Sequence, residues 1–353
     1  MLGYVIYYLR DVENDNGSRG GINPIDGTST DPPAAQPPSL EPSPMPSNTP
    51  TIECTSTVGP CVRTFAEFFN VLDLAGDNDV VALCSDLIIR SEPIVRPANL
   101  TLCCATVPKC TLIAAGGHRN LLVVGRNFRV HGIHFLNGTS NNIDAGNGCG
   151  ANVAIVADGD HDIVDCIFQG AKCASFGYGG SLYVNSPTGS LTIRNSIFTN
   201  NQASFGGAVA VEAPVFKASD CIFEENSGSA VVSLLRLNRD PSQDITFERS
   251  SFINNEGDYG GGFLASGIGD MPKLSVLSCL FHGNVATSGG GAGAAFPGLN
   301  VLDLKLFNNS GDSNLGVADE CDGFLVSLGE YTCFEVIEDF PVRALAEWQP
   351  LGP

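Results

Sequence analysis

Short apolar runs follow one another between residues 80 and 124, and each is bounded by Asp, Pro, Asn or Gly. The runs contain three to five residues and are rich in Leu and β-branched side chains, as in Val80–Cys84 and Leu121–Val124. Segments of this length are too short for helices and are typical of strands. The pattern therefore predicts a series of short strands in this part of the chain.

One helix is predicted immediately before these strands. Thr64 and Glu67 have the spacing of a capping box, in which the hydroxyl and the carboxylate bond the free backbone N–H groups of the first turn. Phe65 and Phe68 begin an apolar pattern with helical spacing. We predict a short amphipathic helix from Phe65 to about Ala75.

The second half of the chain repeats a motif built around a phenylalanine. In the central copies a hydroxyl or thiol stands two residues before the Phe, an Asn stands three residues after it, and a Gly-rich segment follows. A unit of this kind has three short strands and cannot bury its own apolar face. The repeat therefore predicts a solenoid in which each coil stacks on the previous one. The Phe positions are 135, 168, 198, 223, 252, 281 and 307, and their mean spacing of roughly 29 falls within the range of solenoid repeats.

Stacking assigns a place to each repeated residue. Strand side chains alternate, so the Phe and the residue two positions earlier share one face, and the Phe side chains should form an internal column. The Asn should lie at a turn, where its amide can pair with the backbone and with the Asn of the neighbouring coil.

The repeats Ser196-Ile-Phe-Thr-Asn-Asn201 and Cys221-Ile-Phe-Glu-Glu-Asn226 carry a family resemblance. From Thr51 to Glu335 the chain resembles a right-handed parallel β-helix of the pectin-lyase-like superfamily. Its Phe-x-x-Asn and Gly-Gly-Ala motifs also resemble the repeats of polymorphic outer-membrane and autotransporter adhesins. The resemblance implies an all-β fold, a right-handed parallel β-helix of about nine to ten coils, with the short helix capping the first coil.

Three segments are expected from the composition. Residues 1–50 form a leader and a Pro-rich linker, residues 51–340 form the β-helix domain, and residues 341–353 form a C-terminal tail. The apolar stretch Leu2–Leu9 is shorter than the ~20 residues that a spanning helix needs, so no transmembrane span is expected. This stretch is interpreted either as a flexible leader or as the end of a signal or anchor. The Pro-rich segment is interpreted either as an extended spacer or as a disordered tail.

The net charge and the cysteine content limit which binding partners and which cellular location are expected. With 18 Lys+Arg and 38 Asp+Glu the net charge is −20, which argues against nucleic acid as a partner. The 13 cysteines show no metal-binding spacing and indicate disulfides and the secretory pathway, and hence an extracellular or cell-surface location. The candidate glycosylation sites are Asn16, Asn99, Asn137 and Asn308. We expect a monomer.

Cysteines that are close in sequence are the disulfide candidates. These are Cys321 with Cys333, Cys54 with Cys61, and Cys110 with either Cys103 or Cys104. The cysteines at the repeated position, Cys166, Cys221 and Cys279, alternate with serines. They would therefore lie ~9.6 Å apart, beyond the ~7 Å limit for a disulfide, and we predict buried free thiols.

The densest acidic cluster contains Asp158, Asp160 and Asp162. This spacing is similar to a calcium loop, but Ile163 and Gln169 stand where that loop needs Gly and Glu. A solvated turn is the favoured interpretation, with Ca²⁺ as the alternative and no other cofactor expected.

Two histidines, His131 and His134, lie three positions apart on a predicted strand. This spacing places them on opposite faces of the strand, which makes them a poor pair of metal ligands. We expect one of them to be packed and the other exposed.

Two functions remain open from the sequence. The first is a non-catalytic, adhesin-like scaffold that binds glycans or surface proteins. The second is a polysaccharide lyase or glycoside hydrolase, for which the resemblance implies catalytic signatures that the chain lacks. The thinly scattered arginines, among them Arg194 and Arg249, form no recognisable motif, and the first function is preferred.

Overall fold

The protein is seen in a computed structural model that describes residues 54–105, 109–140, 150–173, 177–237, 244–267, 273–287, 293–295, 299–302, 305–307 and 324–326. All of them fall in one unit, Ser47–Phe340. The predicted leader, linker and tail lie outside the described residues. Within the described residues, no helix has the length and apolar character needed to span a membrane.

The helix α1 (Phe65–Leu74) agrees with the prediction at both ends. The Thr64 hydroxyl accepts from the Glu67 amide at 3.2 Å, and the Glu67 carboxylate accepts from the Thr64 amide at 3.1 Å, so the capping box is complete. Phe68 and Leu72 are buried in the core, because the apolar side of α1 covers the end of the first coil. The expected cap is therefore present.

The described residues form a parallel β-solenoid with three long sheets, whose strands are numbered in chain order from β1 to β30. Sheet A contains β1 (Val80–Leu83), β4 (Thr101–Cys104), β7 (Arg129–His131), β11 (Asp160–Val164), β15 (Ser190–Arg194), β18 (Val215–Ser219), β21 (Asp244–Glu248), β24 (Lys273–Leu277) and β28 (Leu299–Leu302). Sheet B contains β2 (Leu87–Ile89), β5 (Cys110–Ala114), β8 (Ile133–Leu136), β12 (Ile167–Gln169), β16 (Ile197–Thr199), β19 (Ile222–Glu224), β22 (Ser251–Ile253), β25 (Leu280–His282) and β29 (Lys305–Phe307).

Sheet C contains β3 (Ile94–Val95), β6 (Leu121–Val123), β10 (Val153–Val156), β14 (Leu182–Asn185), β17 (Val209–Glu212), β20 (Ser227–Leu237), β23 (Glu256–Gly267), β26 (Val285–Ala286), β27 (Gly293–Ala295) and β30 (Phe324–Val326). A two-stranded ladder joins β9 (Thr139–Ser140) to β13 (Lys172–Cys173). Successive strands of a sheet come from successive coils, as the repeat predicted.

The predicted phenylalanine column runs through the interior. Six rings stack at centroid distances between 4.6 and 5.1 Å, close to the ~4.8 Å spacing of the coils. They belong to Phe135, Phe168, Phe198, Phe223, Phe252 and Phe281, all fully buried. Burial of each ring stabilises the fold by about 1.5–3 kcal/mol.

The column ends differently from the prediction. In the last coil Phe281 pairs with Leu306, and Phe307 pairs with His282, so the expected seventh Phe is one position out of register. At the other end Leu112 pairs with Phe135, so an aliphatic residue continues the column. The repeat motif did not reveal this extension because it was defined by Phe alone.

The repeated asparagines form the predicted ladder at the turn after sheet B. The Nδ2 group of Asn226 donates to Oδ1 of Asn255 at 3.1 Å and to the backbone oxygen of Phe198 at 2.9 Å. Its Oδ1 accepts from the amide and the side chain of Asn201. Asn284 continues the series. The ladder satisfies buried backbone groups that the turn would otherwise leave unpaired.

The structure changes the disulfide assignment near the start of the described chain. Cys54 bonds to Cys103 and Cys61 bonds to Cys84, so the expected Cys54–Cys61 bridge is wrong. Val62 forms a bridge with Leu83 of the first coil, which brings Cys61 close to Cys84. The partners of these two disulfides are therefore brought together because the chain stacks on β1 and β4, and not because they are close in sequence.

The remaining cysteines complete the pattern. Cys104 bonds to Cys110, which decides between the two alternatives for Cys110, and Cys173 is also disulfide-bonded. Cys321 and Cys333 lie outside the described residues. The predicted buried free thiols are confirmed at the three repeated positions, Cys166, Cys221 and Cys279.

Candidate functional site

Strand β11 carries the acidic cluster found in the sequence. Its side chains alternate, so Asp160 and Asp162 face outward while His161 is buried. Asp158 lies just before the strand. Two of the three carboxylates therefore belong to the outer surface of sheet A.

Each aspartate is engaged by a different group of the next coil. The bonds join Asp158 Oδ1 to the Thr188 amide at 3.1 Å, Asp160 Oδ1 to the Ser190 hydroxyl at 2.7 Å, and Asp162 Oδ2 to the Arg194 guanidinium at 2.8 Å. Over the described part of the chain, no three His, Cys, Asp or Glu side chains are grouped closely enough to hold a metal ion. The calcium alternative thus has no preformed ligand set here and stays a prediction.

The Asp162–Arg194 pair is one of several ion pairs that join neighbouring coils. We call the outer side of sheet A, together with its edge towards sheet B, the charge-paired face. Its pairs are Asp162–Arg194 (2.8 Å), Lys217–Asp244 (3.1 Å), Asp220–Arg249 (2.8 Å) and Lys109–Asp165 (2.6 Å).

Sequence reasoning missed this face because the partners are far apart in the chain. Arg194 lies 32 residues after Asp162, and Arg249 lies 29 residues after Asp220. Both separations are close to one repeat. A search for opposite charges one repeat apart would have found these pairs, whereas a search for local motifs could not.

Lys109 makes the longest connection on the face. Its Nζ group donates to the backbone oxygen of Asp165 at 2.9 Å and to Oδ1 of the same residue, two coils away. Asn195 donates to the same Oδ1 from the following coil at 3.2 Å. Asp165 and Asn195 both have positive φ angles, 54° and 49°, so the turn itself aims their side chains along the edge.

The ion pairs orient side chains more than they stabilise the fold. The side chains of Arg194 and Lys217 are 47% and 49% exposed, and a pair in such a position contributes about 0–1 kcal/mol. At Arg249 the hydrogen bonds to Asp220 raise the pKa of the guanidinium, so its positive charge is permanent. The face is therefore an array of oriented donors and acceptors.

His131 lies within this array and differs from its predicted position. Gly132, with φ 67°, separates it from His134 and places the two residues on different sheets. Both are half-buried, so the expectation of one packed and one exposed histidine on a single strand is wrong. Burial lowers the pKa of His131, which the negative charge of Asp165 partly opposes. We treat the ring as neutral at pH 7.

Two of the candidate glycosylation sites lie in the described part of the chain. Asn99 and Asn137 are exposed, with φ angles of 57° and 56°. The Nδ2 group of Asn99 donates to Asn78 at 3.0 Å. Asn16 and Asn308 lie outside the described residues.

Comparison with known proteins supports the fold. Residues 130–301 match the family model for the right handed beta helix region, and the matched segment contains about 6 turns of the solenoid. The observed coils define the class of fold: the described residues form an all-β parallel β-helix, and residues 130–301 are similar to the right-handed β-helix family. Neither a curated protein nor a solved structure matches it. The likeness to adhesin repeats stays a prediction.

Proposed function

We propose that this protein is a secreted or cell-surface β-helix scaffold that binds glycans or neighbouring proteins without catalysis. The charge-paired face is the proposed binding surface. The observation that carries the proposal is the set of ion pairs between coils, which holds charged groups in rows on a rigid sheet. Solenoids commonly bind through such extended lateral surfaces.

The pairing suits a polar ligand with many hydroxyl or carboxylate groups. Arg194 and Lys217 are half exposed, so each can donate to a ligand while its carboxylate partner keeps it oriented. A charged donor that is already positioned loses less conformational entropy on binding. Thr192 lies between Asp162 and Lys217 in the same outward row and adds a hydroxyl. This row offers hydrogen-bonding groups to a hydroxyl-rich saccharide rather than an apolar surface to an apolar ligand.

The alternative is a polysaccharide lyase or glycoside hydrolase, which needs carboxylates in specialised states. Hydrolysis requires one protonated and one ionised carboxyl group on either side of the bond. On the charge-paired face the described carboxylates are held by cations or hydroxyls. The described carboxyl with a raised pKa is Glu224, shifted by burial and by Glu225, and it lies on sheet B. The observation that favours a lyase or hydrolase is the β-helix fold itself.

The proposed extracellular or cell-surface location is supported mainly by the disulfides. Disulfides among the first coils support passage through an oxidising compartment. The exposed sequons at Asn99 and Asn137 agree with that route.

Glycan-array binding tests the proposal, using the wild type, Arg194→Ala and the matched control Arg126→Ala. Arg126 is an exposed arginine in the turn before sheet A. We expect glycan binding that weakens at least about fivefold in Arg194→Ala and is unchanged in Arg126→Ala. Reducing-sugar and unsaturated-uronate assays run on the same samples. Turnover that is lost in Asp160→Asn and Asp162→Asn would establish the enzyme instead.

A further inference from the structure

The charges on the charge-paired face nearly cancel. Each of its four ion pairs joins one cation to one carboxylate. Outside these pairs, the outward side chains of sheet A from β1 to β21 add one cation, Arg129, and two carboxylates, Asp160 and Glu248. Burial lowers the pKa of His131, so this outward ring adds no charge at pH 7. The face therefore has no excess of positive charge with which to attract an anion.

The paired cations of the face are already bound to carboxylates of the protein. Arg194 donates to both oxygens of Asp162, at 3.1 and 2.8 Å. Arg249 donates to the two oxygens of Asp220 at 2.8 Å and also contacts Glu248. An acidic ligand would have to displace one of these carboxylates, which would exchange one ion pair for another and leave like charges side by side.

The rest of the molecule also opposes an anionic ligand. With 18 Lys+Arg and 38 Asp+Glu the chain has a net charge of −20, and a field of this sign repels anions unless cations are locally in excess. No ion pair within the described residues includes Arg129, but this residue lies beside Asp162 in the pairing of β7 with β11. An anion bound to Arg129 would therefore lie close to the Asp162 carboxylate, at roughly the 4.8 Å spacing of neighbouring strands.

Hydroxyl groups stand between the charged groups of the face. One outward row runs through β11, β15, β18 and β21 as Asp162, Thr192, Lys217 and Thr246. In the adjacent row Ser190 follows Asp160. Hydroxyls donate and accept, carboxylates accept, and ammonium groups donate. A sugar hydroxyl that meets these rows can therefore find a donor or an acceptor at each coil without carrying a charge.

We infer that the ligand of the charge-paired face is a neutral saccharide, without carboxylate or sulfate groups. This inference rests on the proposed glycan binding and specifies the class of its ligand. Sugar hydroxyls match a surface of alternating donors and acceptors, because each of them is both. Hydrogen bonds to charged groups are stronger than those between neutral groups, so the paired charges contribute affinity without requiring a charge on the ligand.

Matched glycans test the inference with the wild-type protein. The array carries neutral glycans and also each acidic glycan beside its carboxyl-reduced form, in which every carboxylate has become a hydroxymethyl group. We expect the glycans that bind to be neutral, and any acidic glycan to bind at least about tenfold more weakly than its reduced form. Binding of a neutral glycan should change less than about twofold between roughly 0.05 and 0.5 M salt, because the ligand has no charge to be screened.

Asp162→Asn tests the same inference from the side of the protein. The substitution removes one carboxylate at nearly constant size and leaves Arg194 and Arg129 without that opposing charge. Relative to the reduced forms, acidic glycans should then bind at least about fivefold more tightly than they do to the wild type. The matched control is Glu225→Gln, which removes the same charge from an exposed position in the turn after sheet B. It should leave the preference unchanged.

Failure of this inference is distinguishable from failure of the proposed function. If the wild type bound an acidic glycan more tightly than its reduced form, and Arg194→Ala weakened that binding, the ligand would be acidic and the glycan-binding face would stand. A preference shifted equally by Asp162→Asn and Glu225→Gln would also overturn the inference, because the local charge balance would not be its cause. Absence of glycan binding, or glycan binding that Arg194→Ala leaves unchanged, would overturn the proposed function itself.

Discussion

At the scale of single residues, a few buried polar side chains hold the turns of the coil. Asn226 donates and accepts bonds to the coils on either side of it, and His161 bonds two backbone groups. Such groups are costly to remove, because each deletion leaves buried donors and acceptors without partners. Substitutions at these two positions should therefore have measurable effects on unfolding.

The asparagine ladder is tested by removing one of its central members. Asn226→Ala should lower the free energy of unfolding by about 2–4 kcal/mol, since the bonds to Asn201, Asn255 and Phe198 are lost together. Urea unfolding of wild type and variant measures this change. Glu225→Gly is the control: Glu225 has a φ of 53°, so glycine there should be neutral or stabilising. Equal midpoints for Asn226→Ala and wild type would contradict a structural role for the ladder.

The buried ring of His161 should make stability depend on pH. The ring accepts from the Phe128 amide at 3.1 Å and contacts the Ala157 oxygen at 2.8 Å, and burial lowers its pKa below the ordinary 6.5. The unfolded chain therefore binds a proton at a higher pH than the folded chain does. Stability is full above pH 6.5 and falls as the pH drops through the folded pKa.

His161→Asn keeps an acceptor for the Phe128 amide but cannot titrate. Its unfolding midpoint should depend less on pH between 5 and 6.5 than that of the wild type. A residual dependence is expected because burial also lowers the pKa of His131 and His134. If the two proteins showed the same pH dependence, His161 would not be the responsible group.

At the scale of elements, each strand depends on its neighbours and the first coil depends on α1. Strands of three to five residues have too few contacts to form alone, so the open end of a solenoid must be covered. The helix does this with Phe68 and Leu72, while Leu74 is 76% exposed.

Because Phe68 is buried and Leu74 is exposed, substitutions at these two positions of α1 should have different effects. Phe68→Asp should expose the first coil and produce soluble aggregates or loss of expression, because it places a charge against the core. Leu74→Asp, at the exposed end of α1, should remain monodisperse in light scattering. A fully folded, non-aggregating Phe68→Asp protein would show that α1 is not required as a cap.

At the scale of the whole molecule, the described cysteines fall into two groups, bonded and free. Three disulfides join residues 54–110 and Cys173 is also disulfide-bonded, while Cys166, Cys221 and Cys279 are free thiols buried among apolar neighbours. Burial raises the pKa of Cys166, Cys221 and Cys279 to about 12, so the reactive thiolate is scarce near neutral pH.

Alkylation at pH 8 should therefore leave all three thiols unmodified in the folded protein and modify them in guanidinium. Peptide mass mapping without reduction should also link Cys54 to Cys103 and Cys61 to Cys84. Rapid labelling of the native thiols, or a peptide joining Cys166 to Cys221, would contradict the register of the coils.

The sequence by itself determined the repeating unit and therefore the class of fold. A regularly recurring Phe with an Asn three positions later allows few arrangements other than stacked coils, because each unit must stack on its neighbour to bury the ring. The helix was equally predictable, since the capping box of Thr64 and Glu67 is local. Such features depend on spacing within one turn or one coil.

Only the tertiary structure decided which residues of different coils meet. Cys54 bonds to Cys103 and not to Cys61, and Asp162 pairs with Arg194. The partners in each pair are far apart in the sequence, and the stacking of the coils brings them together. The outward surface of sheet A is decided in the same way: each strand adds one or two outward residues, and the charge-paired face does not exist until the strands are in register. Surfaces of a solenoid are sums over coils, so no local stretch of sequence contains them.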